Sequence, residues 1–215
     1  RFAKHIILLE NPIEVVHENL AGSVTQREVG ADTESFFAGL RSAMRQDPNV
    51  ICIQEMRDEA TFETALAAAE TGHLVISTMH AADAAQTVQR VIGAAGASDE
   101  RVVRARLAES LRAVVAQRLV RRRVGGGRVL VAEVMVVTPH IQELIRTGAS
   151  AEALFDAIER SREHYQGQSF DQHLHDLLVA GHISEDVARG AATRGRDLVV
   201  RLRQQSGNGV TYGAS

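Results

Sequence analysis

Three apolar runs of strand length, His5 to Leu9, Val50 to Ile53 and Leu74 to Thr78, mark the first part of the chain. Their continuous rather than alternating hydrophobicity predicts strands covered on both faces, as in a parallel sheet. The first run ends at Glu10 and breaks at Asn11-Pro12. Between the runs the spacing turns helical. Phe36, Leu40 and Met44 predict a helix from Thr33, a candidate N-cap, to Arg45, with Asp47-Pro48 as its stop. Ala60 to Thr71 is a second predicted helix, closed by Gly72, and Val24 to Val29 a further short strand. Strand and helix alternate, which predicts a mostly parallel α/β sheet with helices on its faces.

Further on, Ala84 to Val91 and Asp99 to Leu119 read as helices, the second with Val103, Leu107, Leu111, Val114 and Val115 as its apolar stripe. Arg121 to Arg123 and Val129 to Val137 read as two strands joined by a turn at Gly125, Gly126 and Gly127. Beyond Pro139 the segments HIQELIRTG, AEALFDAIERS, FDQHLHDLLVAG and SEDVARGAATRG predict short helices with glycine stops. The expected organisation is an α/β core over residues 1–138, a small helical subdomain over 139–203 and a frayed, glycine-rich end over 204–215.

With 45% hydrophobic residues in 215, the chain has enough apolar material for a real core, which excludes a chiefly disordered protein. The formal charge of -3 argues against nonspecific attraction to nucleic acid or to an anionic membrane. Lys4 is the only lysine, so the other basic residues are arginines, which bind carboxylate and phosphate bidentately. Cys52, also alone of its kind, excludes an intrachain disulfide and a cysteine zinc site, and a reducing cytoplasm fits best. No apolar run approaches the ~20 residues that span a bilayer. The chain enters a strand almost at once, without a methionine, and is expected to be a fragment of a longer protein.

Candidate chemistry gathers at strand ends. Glu55 closes an apolar strand where parallel sheets bind ligands, and a carboxylate there suits Mg²⁺ held directly or through water; a surface glutamate is the plain alternative. Asp58 fits better as the cap of the next helix. Glu10, Asn11 and Glu14 surround Pro12 after the first strand, where Glu14 is placed to polarise an attacking water or simply to lie in an acidic loop. His80 ends the third strand, and a neutral imidazole there suits a terminal phosphate. His73 stands at that strand's start, so the two histidines cannot share one metal. Arg41 and Arg45, four apart, share a helical face, with Arg27 upstream. They are candidate arginine fingers for a neighbour's nucleotide, or partners of Glu28, Glu34 and Asp47. No G-x-x-x-x-G-K-[ST] loop occurs, and the Gly125 to Gly127 run suits a hairpin turn. His173 and His175 diverge on a helix and make a poor metal pair.

Taken together, the pieces resemble the motor domain of the type II/type IV secretion ATPases, and within them the twitching-motility pilus retraction (PilT-like) ATPases. The resemblance runs through IILLENPIEVVHE, the family's Asp box; VTQREVGADTESFFAGLRSAMRQDPNVI; ICIQEMRDEAT, its Walker B; and AAAETGHLVISTMHAADA, its His box. It continues through LAESLRAVVAQRLVRR, GGGRVLVAEVMVVTP and SFDQHLHDLLVAGHISEDVA, covering His5 to Ala192. It implies a RecA-like P-loop NTPase core followed by a small C-terminal helical subdomain, with Walker A upstream of this segment. It implies Glu14 as general base, Glu55 as Walker B acid holding Mg²⁺, His73 and His80 as His-box histidines, and Arg27, Arg41 and Arg45 near the phosphates or the subunit interface. It further implies a hexameric ring that hydrolyses ATP and pulls on an inner-membrane platform protein. No direct membrane insertion is expected.

The export-type relatives carry a four-cysteine zinc element after QRLVRR, whereas here QRLVRRRVGGGRVLVAEV runs on without cysteine, which resembles the retraction type. Two positions depart from the family pattern, Asn11 for its Asp and Gln54 for its Gly. They keep open an accessory, non-hydrolysing ring subunit as the alternative to an active ATPase. A nucleic-acid translocase is disfavoured by the absence of a basic stripe.

Overall fold

The computed structural model describes residues 3–56, 58–96 and 99–195. The expected frayed end at 204–215 lies outside them. The chain divides into two compact units, the first holding the described residues up to His80, Thr87 to Leu111 and Ile145 to Gly148. The second holds Ala81 to Gln86, Arg112 to Leu144 and the described residues from Ala149 onward.

The first unit is built on the parallel sheet that the apolar runs predict. Its strands are β1 (His5–Glu10), β2 (Ser23–Glu28), β3 (Val50–Glu55) and β4 (Leu74–Thr78), in the order β2-β1-β3-β4. All three pairings are parallel. Asn49 aligns the strand starts: its backbone N–H donates to His5 O (2.8 Å), its carbonyl accepts from Leu74 N (3.2 Å) and its Oδ1 accepts from His5 N (2.9 Å). Helices α1 (Phe36–Ala43) and α2 (Glu59–Glu70) close a core in which Ile7, Leu9, Leu40, Ile51 and Ile53 are fully or almost fully buried. Each such side chain contributes roughly 1.5–3 kcal/mol relative to an exposed one. β4 departs from the both-faces-buried expectation. It is an edge of the described sheet, and Leu74 and Ile76 are half exposed on it.

Asp58 caps α2, one carboxylate oxygen accepting from Thr61 N (2.8 Å) and the other from Thr61 Oγ1 (2.6 Å). The cap of α1 is Ser35, whose Oγ accepts from Ala38 N (3.1 Å), and not the expected Thr33. Thr33 is still occupied by the preceding turn, where its carbonyl accepts from Gly30 N and its N–H donates to Glu28 O.

Helix α3 (Ala84–Ala94) begins in the second unit and ends in the first, which also holds α4 (Glu100–Ser110). The expected helix over Asp99 to Leu119 is only half helical. It stops at Ser110, and Ala113–Arg121 is strand β5, paired antiparallel with β6 (Arg128–Val136). The reason is a period of two: Val114, Ala116 and Val120 are buried while Val115 and Leu119 are exposed, which no helical stripe produces. The glycine turn is as expected, with Gly125, Gly126 and Gly127 all at positive φ (81, 70 and 74).

The remaining helices are α5 (Pro139–Thr147), which like α3 runs from the second unit into the first, α6 (Ala151–Arg160), the short α7 (Arg162–Tyr165), α8 (Phe170–Val179) and α9 (Glu185–Ala191). The hairpin shares one core with α8 and α9, formed by Val120, Val131, Phe170, Leu174, Leu178 and Ile183. The inward face of the hairpin is thus completed by the C-terminal helices.

Candidate active site

Parallel pairing forces the C-terminal ends of β1, β2, β3 and β4 onto one rim, and three of these strands end in glutamate: Glu10, Glu28 and Glu55. The register pairs Glu10 with Glu28 and Glu55 with Thr78. Two residues past β4, the His80 imidazole reaches back, and its Nε2 lies 3.2 Å from Glu55 Oε1. Glu55 is 21% exposed and His80 87% exposed, so a shielded carboxylate meets a ring open to solvent. Of the expected site residues, these two are directly in contact.

Glu14 reaches the same rim through an unusual connection. Residues 11–22 return from the end of β1 to the start of β2 without a helix. They do so by running back alongside β2. Ile13 N donates to Glu28 Oε2 (3.0 Å), Val15 O accepts from Gln26 Nε2 (2.8 Å), His17 N donates to Gln26 Oε1 (2.8 Å) and Asn19 Oδ1 accepts from Val24 N (2.7 Å). Gln26 Nε2 also donates to Glu10 Oε2 (2.7 Å). At the end of this path a Cβ on Gly22 would sit 2.3 Å from the Lys4 carbonyl oxygen, so only glycine allows the approach. Glu14 is exposed and lies between the Ile13 contact at the end of β2 and the Val15 contact two residues back.

Gln54, one of the two departures from the family pattern, accepts a short hydrogen bond from Asn11 N and so ties the start of this crossover to β3. Gln26, Glu28 and Gln54 thus set the position of Glu14. A helix-free crossover has no periodicity to announce it, and the sequence carried no signal for their roles.

The remaining expected residues lie elsewhere. His73 precedes β4, at the strand-start end opposite the rim, and its Nδ1 donates to Ala68 O (3.0 Å) at the end of α2. Arg27 sends its guanidinium to Ser42 Oγ (3.1 Å) and Gln46 Oε1 (3.1 Å). Gln46 O in turn accepts from His5 Nδ1 (3.2 Å) at the strand starts. Arg41 lies over the Phe37 ring (5.6 Å), and Arg45, just beyond α1, donates to Arg41 O (3.0 Å). Both are exposed.

The rim is chemically suited to a hard cation and an anion together. Three strand-end carboxylates supply oxygen donors, and Mg²⁺ characteristically takes one or two of these and fills its octahedron with water and phosphate oxygens. No cluster of three or more His, Cys, Asp or Glu side chains forms a self-sufficient metal cage among the described residues. The donor set therefore fits a cation held with its substrate. In the middle of β3, burial and then Glu10 push the Cys52 thiol pKa up, which lowers its share of reactive thiolate.

Comparison with known proteins agrees with this architecture. Residues 2–125 match the family model described as Type II/IV secretion system protein. The type IV pilus retractation ATPase PilT of Pseudomonas aeruginosa is 44% identical over 188 residues, covering 87% of this chain and 54% of that protein. The type IV pilus ATPase PilU of the same organism is 42% identical over 200 residues, covering 93% and 52%. A crystal structure of the pilus retraction motor PilT with bound ADP aligns with a TM-score of 0.82 at 37% identity, over 92% of this chain and 55% of that one. The chain thus spans about half the length of the relatives it matches. Its fold is the α/β, RecA-like core of the secretion ATPases. With the match extending over more than half of its residues, the chain belongs to the Type II/IV secretion system protein family.

Proposed function

We propose that the whole protein is an ATP-hydrolysing motor of a type IV pilus, of the retraction type, working as a hexameric ring against an inner-membrane platform protein. The observation that carries this reading is the Glu55–His80 contact at the C-terminal rim of the parallel sheet. Glu14 takes a proton from the water that attacks the γ-phosphorus, the bond to the β-phosphate oxygen breaks, and ADP and inorganic phosphate result. Glu55 would hold Mg²⁺, which would neutralise charge on the phosphates. His80, beside Glu55 and open to solvent, contacts the terminal phosphate. Arg27 is held by Ser42 and Gln46, while Arg41 and Arg45 are exposed, a surface position that favours a role toward a neighbouring protomer's nucleotide. His73, held by α2, supports the start of β4.

The test is turnover by the full-length protein. Glu14→Ala and Glu55→Ala are expected to abolish hydrolysis while nucleotide binding persists; wild-type turnover in both overturns the assignment. In cells, loss of retraction with assembly intact should leave pili abundant and surface movement absent. The 215-residue chain alone is expected to hydrolyse little, since it has no G-x-x-x-x-G-K-[ST] loop to cradle the phosphates. The alternative, a ring subunit that binds nucleotide without turnover, is suggested by Asn11 and Gln54. Gln54 turns its side chain to the Asn11 amide, which favours the active reading, and undetectable hydrolysis by the unmutated ring would reverse that preference.

A further inference from the structure

One carboxylate in the second unit has no place in the hydrolysis described above. Glu133 sits in the middle of β6 between the fully buried Val131 and Met135, and is itself only 2% exposed. Its Oε1 accepts from the backbone N–H of Ala84, the first residue of α3, at 2.7 Å. Burial pushes its pKa up, opposed by that N–H and by Arg118. An acid at this cost is not needed merely to cap the helix, because Asp83 Oδ1 already accepts from Gln86 N (2.7 Å). Beside it, Arg118 of β5 donates from Nη2 to Ala82 O (3.3 Å) and from Nη1 to Ala191 O (2.9 Å), while its guanidinium stacks 3.8 Å from the Phe170 ring centre. Two side chains of the hairpin therefore grip the backbone of Ala82 and Ala84. Ala82 follows His80 with a single residue between them.

We propose that Glu133 and Arg118 are positioning residues for His80. The His80 side chain is 87% exposed, so packing does not set its place, and its backbone anchors must. On one side Thr78 is held by its pairing with Glu55. On the other, the Glu133 and Arg118 grip fixes Ala82, whose Cα lies no more than about 7.6 Å from that of His80 along two peptide links. Arg118 also holds the last residue of α9 and the ring that opens α8. The inference rests on the reading of His80 as the group that meets the terminal phosphate.

The test is a double-mutant cycle in the full-length protein, reading kcat and KM for ATP. Arg118→Ala and Glu133→Ala are each expected to lower kcat about tenfold or more with KM within about twofold, and Glu133→Gln, which keeps a carbonyl acceptor for Ala84 N–H, to restore it to within about threefold. In a His80→Ala background neither change should lower kcat by more than about twofold again, since both act through the group already removed. Losses that multiply in the double variants overturn the positioning role while leaving His80 in the site. A wild-type kcat in His80→Ala alone overturns the site reading and this inference with it. Should either alanine variant fail to fold, Arg118→Lys decides, because it keeps the charge but cannot serve both carbonyls. A kcat loss that vanishes without His80 supports the grip, and an unchanged or multiplying one overturns it.

Discussion

Replacing Phe170 separates the two cores of the chain. The side chain is fully buried against Val131, Leu174 and Ile183, and the Arg118 guanidinium lies 3.8 Å from its ring centre. Phe170→Ala removes the buried ring and leaves a cavity, a change of about 3–5 kcal/mol, with about 1–2 kcal/mol more for a desolvated cation–π contact. Phe170→Leu keeps most of the volume and loses mainly the ring–charge term, about 1–2 kcal/mol. Native-state hydrogen exchange reads the effect locally. Amides of β5, β6 and α8 should exchange about a thousandfold or more faster in Phe170→Ala and about tenfold faster in Phe170→Leu, at 1.4 kcal/mol per decade. Amides of β1 and β3, whose core is formed by Ile7, Leu9, Ile51 and Ile53, should be nearly unaffected. Equal acceleration in both sets would show that hairpin and parallel sheet unfold as one, and would refute the grouping of the hairpin with α8 and α9.

Other perturbations probe single interactions. Ser169 is buried and forms a capping box with Gln172 at the start of α8, so Ser169→Ala should cost about 1–2 kcal/mol in the stability of that helix, measured by exchange of its amides. Arg106 joins α4 to α2 through Glu63 (2.8 Å) and Glu70 (2.7 Å). Because these groups are about a third exposed, Arg106→Ala should cost only about 1 kcal/mol. The pairing holds the Glu70 pKa below its ordinary value. Its stabilisation is present above the unfolded carboxylate pKa and is lost as pH falls through the folded one, so Arg106→Ala should flatten the acid limb of a stability profile. Glu133 has the opposite sign. Its pKa is raised in the fold, so its contribution is complete below the unfolded carboxylate pKa and declines as pH rises through the folded value. Glu133→Gln should therefore gain on the parent in denaturation profiles as pH rises from about 4. Cys52, with its thiol pushed up, should react with iodoacetamide at pH 8 about tenfold more slowly than glutathione, and a matching rate would refute the assigned burial.

The parallel sheet was legible because each of its strands is announced twice, by an apolar run and by the break that follows. Glu10 before Asn11-Pro12, and Asp58 as cap after Glu55, bound β1 and β3 almost where the structure does. Ala113 to Arg121 was misread because its apolar residues come in pairs. Val114 and Val115 satisfy a helical stripe as well as a strand, and only the burial of Val114, Ala116 and Val120 against exposed Val115 and Leu119 separates the two. Glu133 was legible in principle. Its strand was recognised, and counting by twos from Val131 to Met135 puts an acid on the inward face. Arg118, placed in the misread helix, could not be matched to it.

The candidate site divides along the same physical line. Glu55 and His80 converge because parallel pairing puts strand ends on a common rim, a consequence of topology that needs no side-chain detail. Glu14 depends on a crossover whose path is set by Gln26, Glu28 and Gln54, three polar side chains that make backbone hydrogen bonds in place of a helix. Such contacts follow from three-dimensional placement and have no period in the chain. The arginines show the limit from the other side. Their spacing at Arg41 and Arg45 set a shared face, but α1 returns from the rim to the strand starts, where Gln46 meets His5. Along α1 the spacing therefore fixes a face but not what Arg41 meets, which is the Phe37 ring one turn back.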